Sequence, residues 1–197
     1  YISKYLNKDA EVFKANGLEP YFFSNPWSSM LESKKVLVIH PFSDTIIDQF
    51  KKREHLFENP NILPNFDLKA YKCIQTISGN KTDHETWFNA LNHMFREINN
   101  IDYDIAIIGC GAYAIPLAHK IFKSGKSVIQ MGGATQILFG IIGKRWEDNP
   151  TFSDFFNEYW VRAKNNEIPK NHYKIESGAY WKSLSNNIPS IMLANSF

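Results

Sequence analysis

Residues 104–146 read DIAIIGCGAYAIPLAHKIFKSGKSVIQMGGATQILFGIIGKRW and hold two strand-to-helix junctions. The apolar run 105–108 has the character of a strand buried on both faces. It stops at Gly109-Cys110-Gly111, and a helical pattern follows over 113–123. The same order then recurs. Residues 127–131 read as a strand, Gly132-Gly133 as a turn, and 134–142 as a short apolar helix or loop. A strand that ends in glycines and enters a helix aims free backbone N–H groups and the positive end of the helix dipole at one point. That point suits a phosphate or a carboxylate. Two such strand ends side by side make one crevice, so the pattern points to a small anionic, nucleotide-like ligand.

Upstream, the chain supplies two more strand–helix pairs. Lys35-Val36-Leu37-Val38-Ile39 is the first clear strand and ends at His40-Pro41-Phe42. Ser43-Asp44 offers an N-cap for a helix reaching residue 57, with Ile46, Ile47, Phe50 and Leu56 on its buried face. Asn59-Pro60 and Leu63-Pro64 mark a loop. Residues 68–77 read as the second strand. Thr82-Asp83 then caps a helix over 84–99, with Trp87, Leu91, Met94, Phe95 and Ile98 at helical spacing. This alternation predicts a Rossmann-like open parallel α/β sheet with helices on both faces. Right-handed crossovers limit the topologies, and among these the strand order 2-1-3-4 is expected. The first and third strands are then neighbours with helices on opposite faces. Ligands sit outside the C-terminal ends of strands at such a switch point. His40 and Ser43 are thereby expected beside Gly109, Gly111 and Tyr113.

A single domain over 1–197 is expected, since this length can bury a proper core. An N-terminal helix and loop are expected over 1–33, with Ile2, Tyr5, Leu6, Ala10 and Phe13 near helical spacing. An irregular aromatic cover is expected over 147–197, with a last helix over 182–195 interrupted at Pro189. The net charge of +2 is too small to argue for nucleic acid or a membrane surface. No stretch reaches the roughly 18 consecutive apolar residues needed to span a bilayer. Tyr1-Ile2-Ser3-Lys4-Tyr5 has no apolar leader and no initiator Met, so a fragment or processed form is expected. Cys73 and Cys110 make no disulfide framework, and a reducing cytoplasm is the expected location. No Cys and His cluster has zinc-ligand spacing.

Each candidate for chemistry has a plain structural alternative. Gly109-x-Gly111 departs from the dinucleotide fingerprint. Gln130 and Met131 stand where an acid would hold a ribose hydroxyl, so NAD is not expected. The turn reads as a diphosphate site or as a tight turn alone. Gly132-Gly133 admits close approach of a ligand or of another backbone, and Thr135 and Gln136 add polar groups there. His40 reads as a base or phosphate ligand at the switch point, or as a satisfied structural group. Cys110 with His40 would be a nucleophile and base, but no strained elbow or third group accompanies them. Arg145 suits bidentate contact with phosphate, and Trp146 suits stacking on a base or sugar; a solvated loop is the alternative. Asp83-His84-Glu85 looks metal-like but is better explained by helix capping. Glu158-Tyr159-Trp160 reads as a sugar-pocket wall or as packing.

Ile39-His40-Pro41-Phe42, GCGAYAIPLA and GGATQILFGIIGKRW together resemble a bacterial family associated with surface-polysaccharide genes. That family has a fold similar to the GT-D glycosyltransferases. The resemblance covers most of the chain and is strongest over 34–146. It implies a nucleoside diphosphate sugar as donor, a glycan acceptor and a divalent cation, manganese or magnesium. By the family's strand–glycine–helix pattern, Gly109, Gly111 and Tyr113 would fall near the diphosphate. The chain departs from GT-D enzymes in two motifs. Gly132-Gly133-Ala134-Thr135-Gln136 stands where they carry a D-x-E metal motif, and no R-x-G-D-G-E type motif occurs.

Overall fold

The computed structural model describes residues 14–181 together with Asp9. The helices expected over 2–13 and 182–195 lie outside the described residues. Four strands form one sheet: β1 (Lys35–His40), β2 (Asp67–Lys72), β3 (Ile105–Ile108) and β4 (Ser127–Gln130). The order is β2-β1-β3-β4 and every pairing is parallel, as expected. Ile39 lies between Tyr71 and Ile108, so the ends of β1 and β3 are level.

Central position explains the composition of β1. Val36, Leu37, Val38 and Ile39 are fully buried, as a strand covered on both faces demands. Alternate side chains feed opposite faces. Val36, Val38 and Ile107 join one apolar cluster, whereas Leu37, Ile39, Ala106 and Ile108 join the other. The second cluster is closed by α2 (Trp87–Asn99) and α3 (Ala114–Lys123), through Leu91, Met94, Ile98, Leu117 and Ile121. The first is closed by α1 (Ser43–Phe50), α4 (Ala134–Leu138) and the aromatic tail. Among the described residues that tail holds two short helices, α5 (Lys144–Glu147) and α6 (Pro150–Ser153), followed up to residue 181 by 3-10 turns and loop. A parallel bridge from Ile141 to Val161 pins it down. No helix among the described residues is long and apolar enough to cross a membrane.

Several boundaries differ from the expectation. The first turn of α2 is capped by Thr86, whose hydroxyl accepts the Asn89 N–H at 3.1 Å, and not by Thr82-Asp83. The second strand ends at Lys72 rather than at 77, because β1 itself ends opposite that residue. Helix α1 begins at Ser43, with Phe42 as its N-cap, and ends at Phe50 instead of running to 57. Leu56 must leave the helical path to fill the space beside Gly140, where a Cβ would lie 2.7 Å from its Cδ2. The Trp160 indole fixes it there by donating to the Leu56 carbonyl at 3.0 Å. Ile47, expected in the core, is 40% exposed.

Candidate functional site

The C-terminal ends of β1, β3 and β4 converge on one point. The Gly109 N–H donates to the Ile39 carbonyl at 2.9 Å, and the Met131 and Gly132 N–H groups both donate to the Ile108 carbonyl. A Cβ built on Gly109 would lie 2.5 Å from the Gly132 oxygen, 2.7 Å from His40 Cδ2 and 2.8 Å from Thr135 Oγ1. His40, Gly109, Gly132 and Thr135 therefore meet at the expected switch point. The same distances change the role of Gly109. The protein's own atoms fill its side-chain space, so this glycine serves close packing. Gly111 is different: its φ is +56°, and nothing lies within 4 Å of its side-chain position. The open part of the turn is Gly111-Ala112, where both residues are exposed.

His40 is 3% exposed. Its Nδ1 accepts the Phe42 N–H at 3.0 Å, and its ring meets that of Phe42 edge-on at 4.8 Å. Burial pushes its pKa down to about 3. The imidazole is neutral at pH 7, with its proton on Nε2 and its other lone pair engaged. This arrangement closes the β1 turn and offers no free basic nitrogen on Nδ1. Thr135 and Gln136 are fully buried. The Gln136 amide donates to the Ile141 and Tyr180 carbonyls, at 3.2 and 3.3 Å. Thr135 Oγ1 and Gln136 Oε1 have no hydrogen-bond partner among the described residues. Unpartnered buried oxygens are costly and rare.

The two helices that leave this point have different N-termini. At α1 the protein supplies its own anion. Glu167 Oε1 accepts the N–H groups of Asp44 at 2.8 Å and Thr45 at 3.3 Å, and Oε2 takes the Thr45 hydroxyl and the Lys164 N–H. Ser43, buried at the first position of α1, lies under this closed end. At α3 no side-chain oxygen caps the helix. A 3-10 turn, Gly111–Tyr113, runs straight into it: the Tyr113 and Ala114 N–H groups donate to the Cys110 and Gly111 carbonyls and Pro116 has no N–H, so the open end is the exposed start of that turn, Gly111-Ala112. Tyr113 is held on the flank of α3, stacked on Trp87 with ring centres 4.7 Å apart and its hydroxyl 3.4 Å from that of Thr76.

The second glycine pair is covered by the tail. A Cβ on Gly133 would lie 2.7 Å from Tyr180 and 3.3 Å from Trp146. Trp146, expected as a stacking surface for a ligand, is 6% exposed and packs against Phe152 and Tyr180. Arg145 pairs with Glu176 and lies 4.8 Å above the Tyr180 ring. With Lys144 it lines a cavity of about 360 Å3. Trp160 is core, and Tyr159 stacks on His55. Cys110 and Cys73 are both buried, and hydrogen bonding to Cys110, with burial, raises the Cys73 thiol well above its ordinary range.

Beside the Glu167 carboxylate that closes α1, the groups gathered at the crevice are an engaged imidazole, hydroxyls, amides and backbone. Among the described residues no group of three or more His, Cys, Asp or Glu side chains is placed to hold a metal ion. Two contributors escaped the sequence reading. Glu167 stands in a polar loop without periodicity, and Tyr180 in a segment read only as loop. Comparison with family models, with characterised proteins and with solved structures finds no match to this chain.

Proposed function

We propose that this chain is a glycosyltransferase-like domain that binds a nucleoside diphosphate sugar at the C-terminal ends of β1, β3 and β4, and that it serves surface-glycan synthesis. The supporting observation is the contrast between two helix N-termini that leave one crevice. The end of α1 is satisfied by the buried Glu167 carboxylate, whereas the 3-10 turn that leads into α3 has no side-chain cap and begins at the exposed Gly111-Ala112. A diphosphate is the kind of group that an unfilled end takes. Backbone N–H groups there would also stabilise it as a leaving group.

Binding without turnover is the second reading, and His40 favours it. Glycosyl transfer needs a base near the acceptor hydroxyl, and His40 is neutral, buried and engaged by Phe42. A calorimetric titration with uridine and guanosine diphosphate sugars tests the proposal. Micromolar to low-millimolar binding is expected, and its loss is expected in Ala112→Asp. That carboxylate would occupy the N-terminal end of α3 while keeping or raising the melting temperature. Absence of binding by every nucleotide sugar, with and without manganese, would overturn the proposal. Release of free sugar or transfer to a glycan would select the catalytic reading over the second.

A further inference from the structure

Away from the strand ends, a groove of about 540 Å3 opens between the 3-10 turn Pro20–Phe22, the segment 56–62 and the residues that follow α6. That volume is within the usual range for small-ligand sites. Its apolar walls are rings: Tyr21, Phe22, Phe57 and Phe155 lie within 6.4 Å of one another in edge-to-face, tilted and stacked pairs. The walls are pre-shaped by hydrogen bonds. Ser28 donates to the Ile62 carbonyl at 2.7 Å, and Trp160 fixes Leu56 from behind.

The polar groups of the groove decide what it takes. Its two amides are engaged within the walls. Asn59 donates to the Ser24 carbonyl and accepts from the Asn61 N–H. Asn157 donates to the His55 carbonyl and accepts from the Tyr159 N–H. The Tyr21 hydroxyl donates to Glu19. What remains is the Ser24 hydroxyl and two exposed carboxylates, Glu58 and Asp154, from different segments of the lining, and neither carboxylate has an ion-pair partner among the described residues. No lysine or arginine lines the groove. The fixed charge of the groove is wholly negative. Aromatic walls with unpaired carboxylates suit a cation with an apolar body, held by ring faces and by charge.

We infer that this groove is a binding site for a small organic cation, an ammonium carried on an apolar stem. The site stands apart from the nucleotide-sugar crevice, and the inference holds or fails independently of it.

Choline and its neutral isostere 3,3-dimethylbutanol, titrated into the whole chain and followed by calorimetry and tryptophan fluorescence, form the test. Choline is expected to bind about tenfold more tightly than the isostere, the usual scale for a partly desolvated cation on aromatic rings. Added salt should weaken choline binding and leave the isostere unchanged. The pair Glu58→Gln and Asp154→Asn should abolish the preference without lowering the melting temperature, since both carboxylates are exposed and unpaired. Equal binding of the two probes, tighter binding of a neutral oligosaccharide, or no binding of choline at 10-millimolar scale would each overturn the inference.

Discussion

His40 shows how one residue is assigned by its surroundings rather than by its type. Its place at the end of β1 was legible, because an apolar run followed by His-Pro marks a strand terminus. Its state was not legible, because nothing in the sequence shows that Phe42 folds back to donate to Nδ1. The pH dependence follows from the shift. The folded-state pKa of about 3 lies below the unfolded value of 6.5, so the unfolded chain binds more protons between these limits. The contribution is present in full above about pH 6.5 and is lost as pH falls toward 3, amounting to several kcal/mol at the acid end. In His40→Asn the amide oxygen keeps the acceptor and removes the titration. Urea unfolding at a series of pH values should show lower stability than wild type at pH 8 and a flatter decline below pH 6. An unchanged slope would mean that His40 titrates normally when folded.

At the scale of elements, each apolar run became the expected strand, and the errors lie at their ends. The early stop of α1 follows from Leu56 and Trp160, partners far apart in sequence, which no local pattern reveals. The same holds for the carboxylate that closes α1. Replacing Glu167 by Ala leaves the Asp44 and Thr45 N–H groups and the Thr45 hydroxyl without their acceptor in a buried place. A loss of roughly 2–4 kcal/mol is expected from charge-assisted bonds of this kind, measured by denaturant titration. Hydrogen exchange should quicken first at residues 44–46, and uniform quickening across the sheet would argue that Glu167 acts elsewhere.

For the whole molecule, the expected strand order matches the observed one, although right-handed crossovers only narrow the ways to arrange four parallel strands and do not select one. The tail was legible only as aromatic and irregular. It has no period to read, and its placement depends on Gly133, Gly140 and Gly143 leaving room for Tyr180, Leu56 and Trp146. Both apolar clusters draw on β1 and β3, so neither face can unfold while the other keeps its strands. Scanning calorimetry is expected to show one transition with equal calorimetric and van't Hoff enthalpies. Two resolved transitions would show that the aromatic tail melts by itself.

The ion that closes α1 also has a place in time. Thr45 and Glu167 are 122 residues apart. A ribosome adding about 5–20 residues per second takes about 6–24 s to travel between them. Throughout that interval the segment of α1 lacks its closing carboxylate, and a helix of eight residues has little stability of its own. Synthesis itself thus sets an order of events: β1 and its helix are made 122 residues before the carboxylate that completes them.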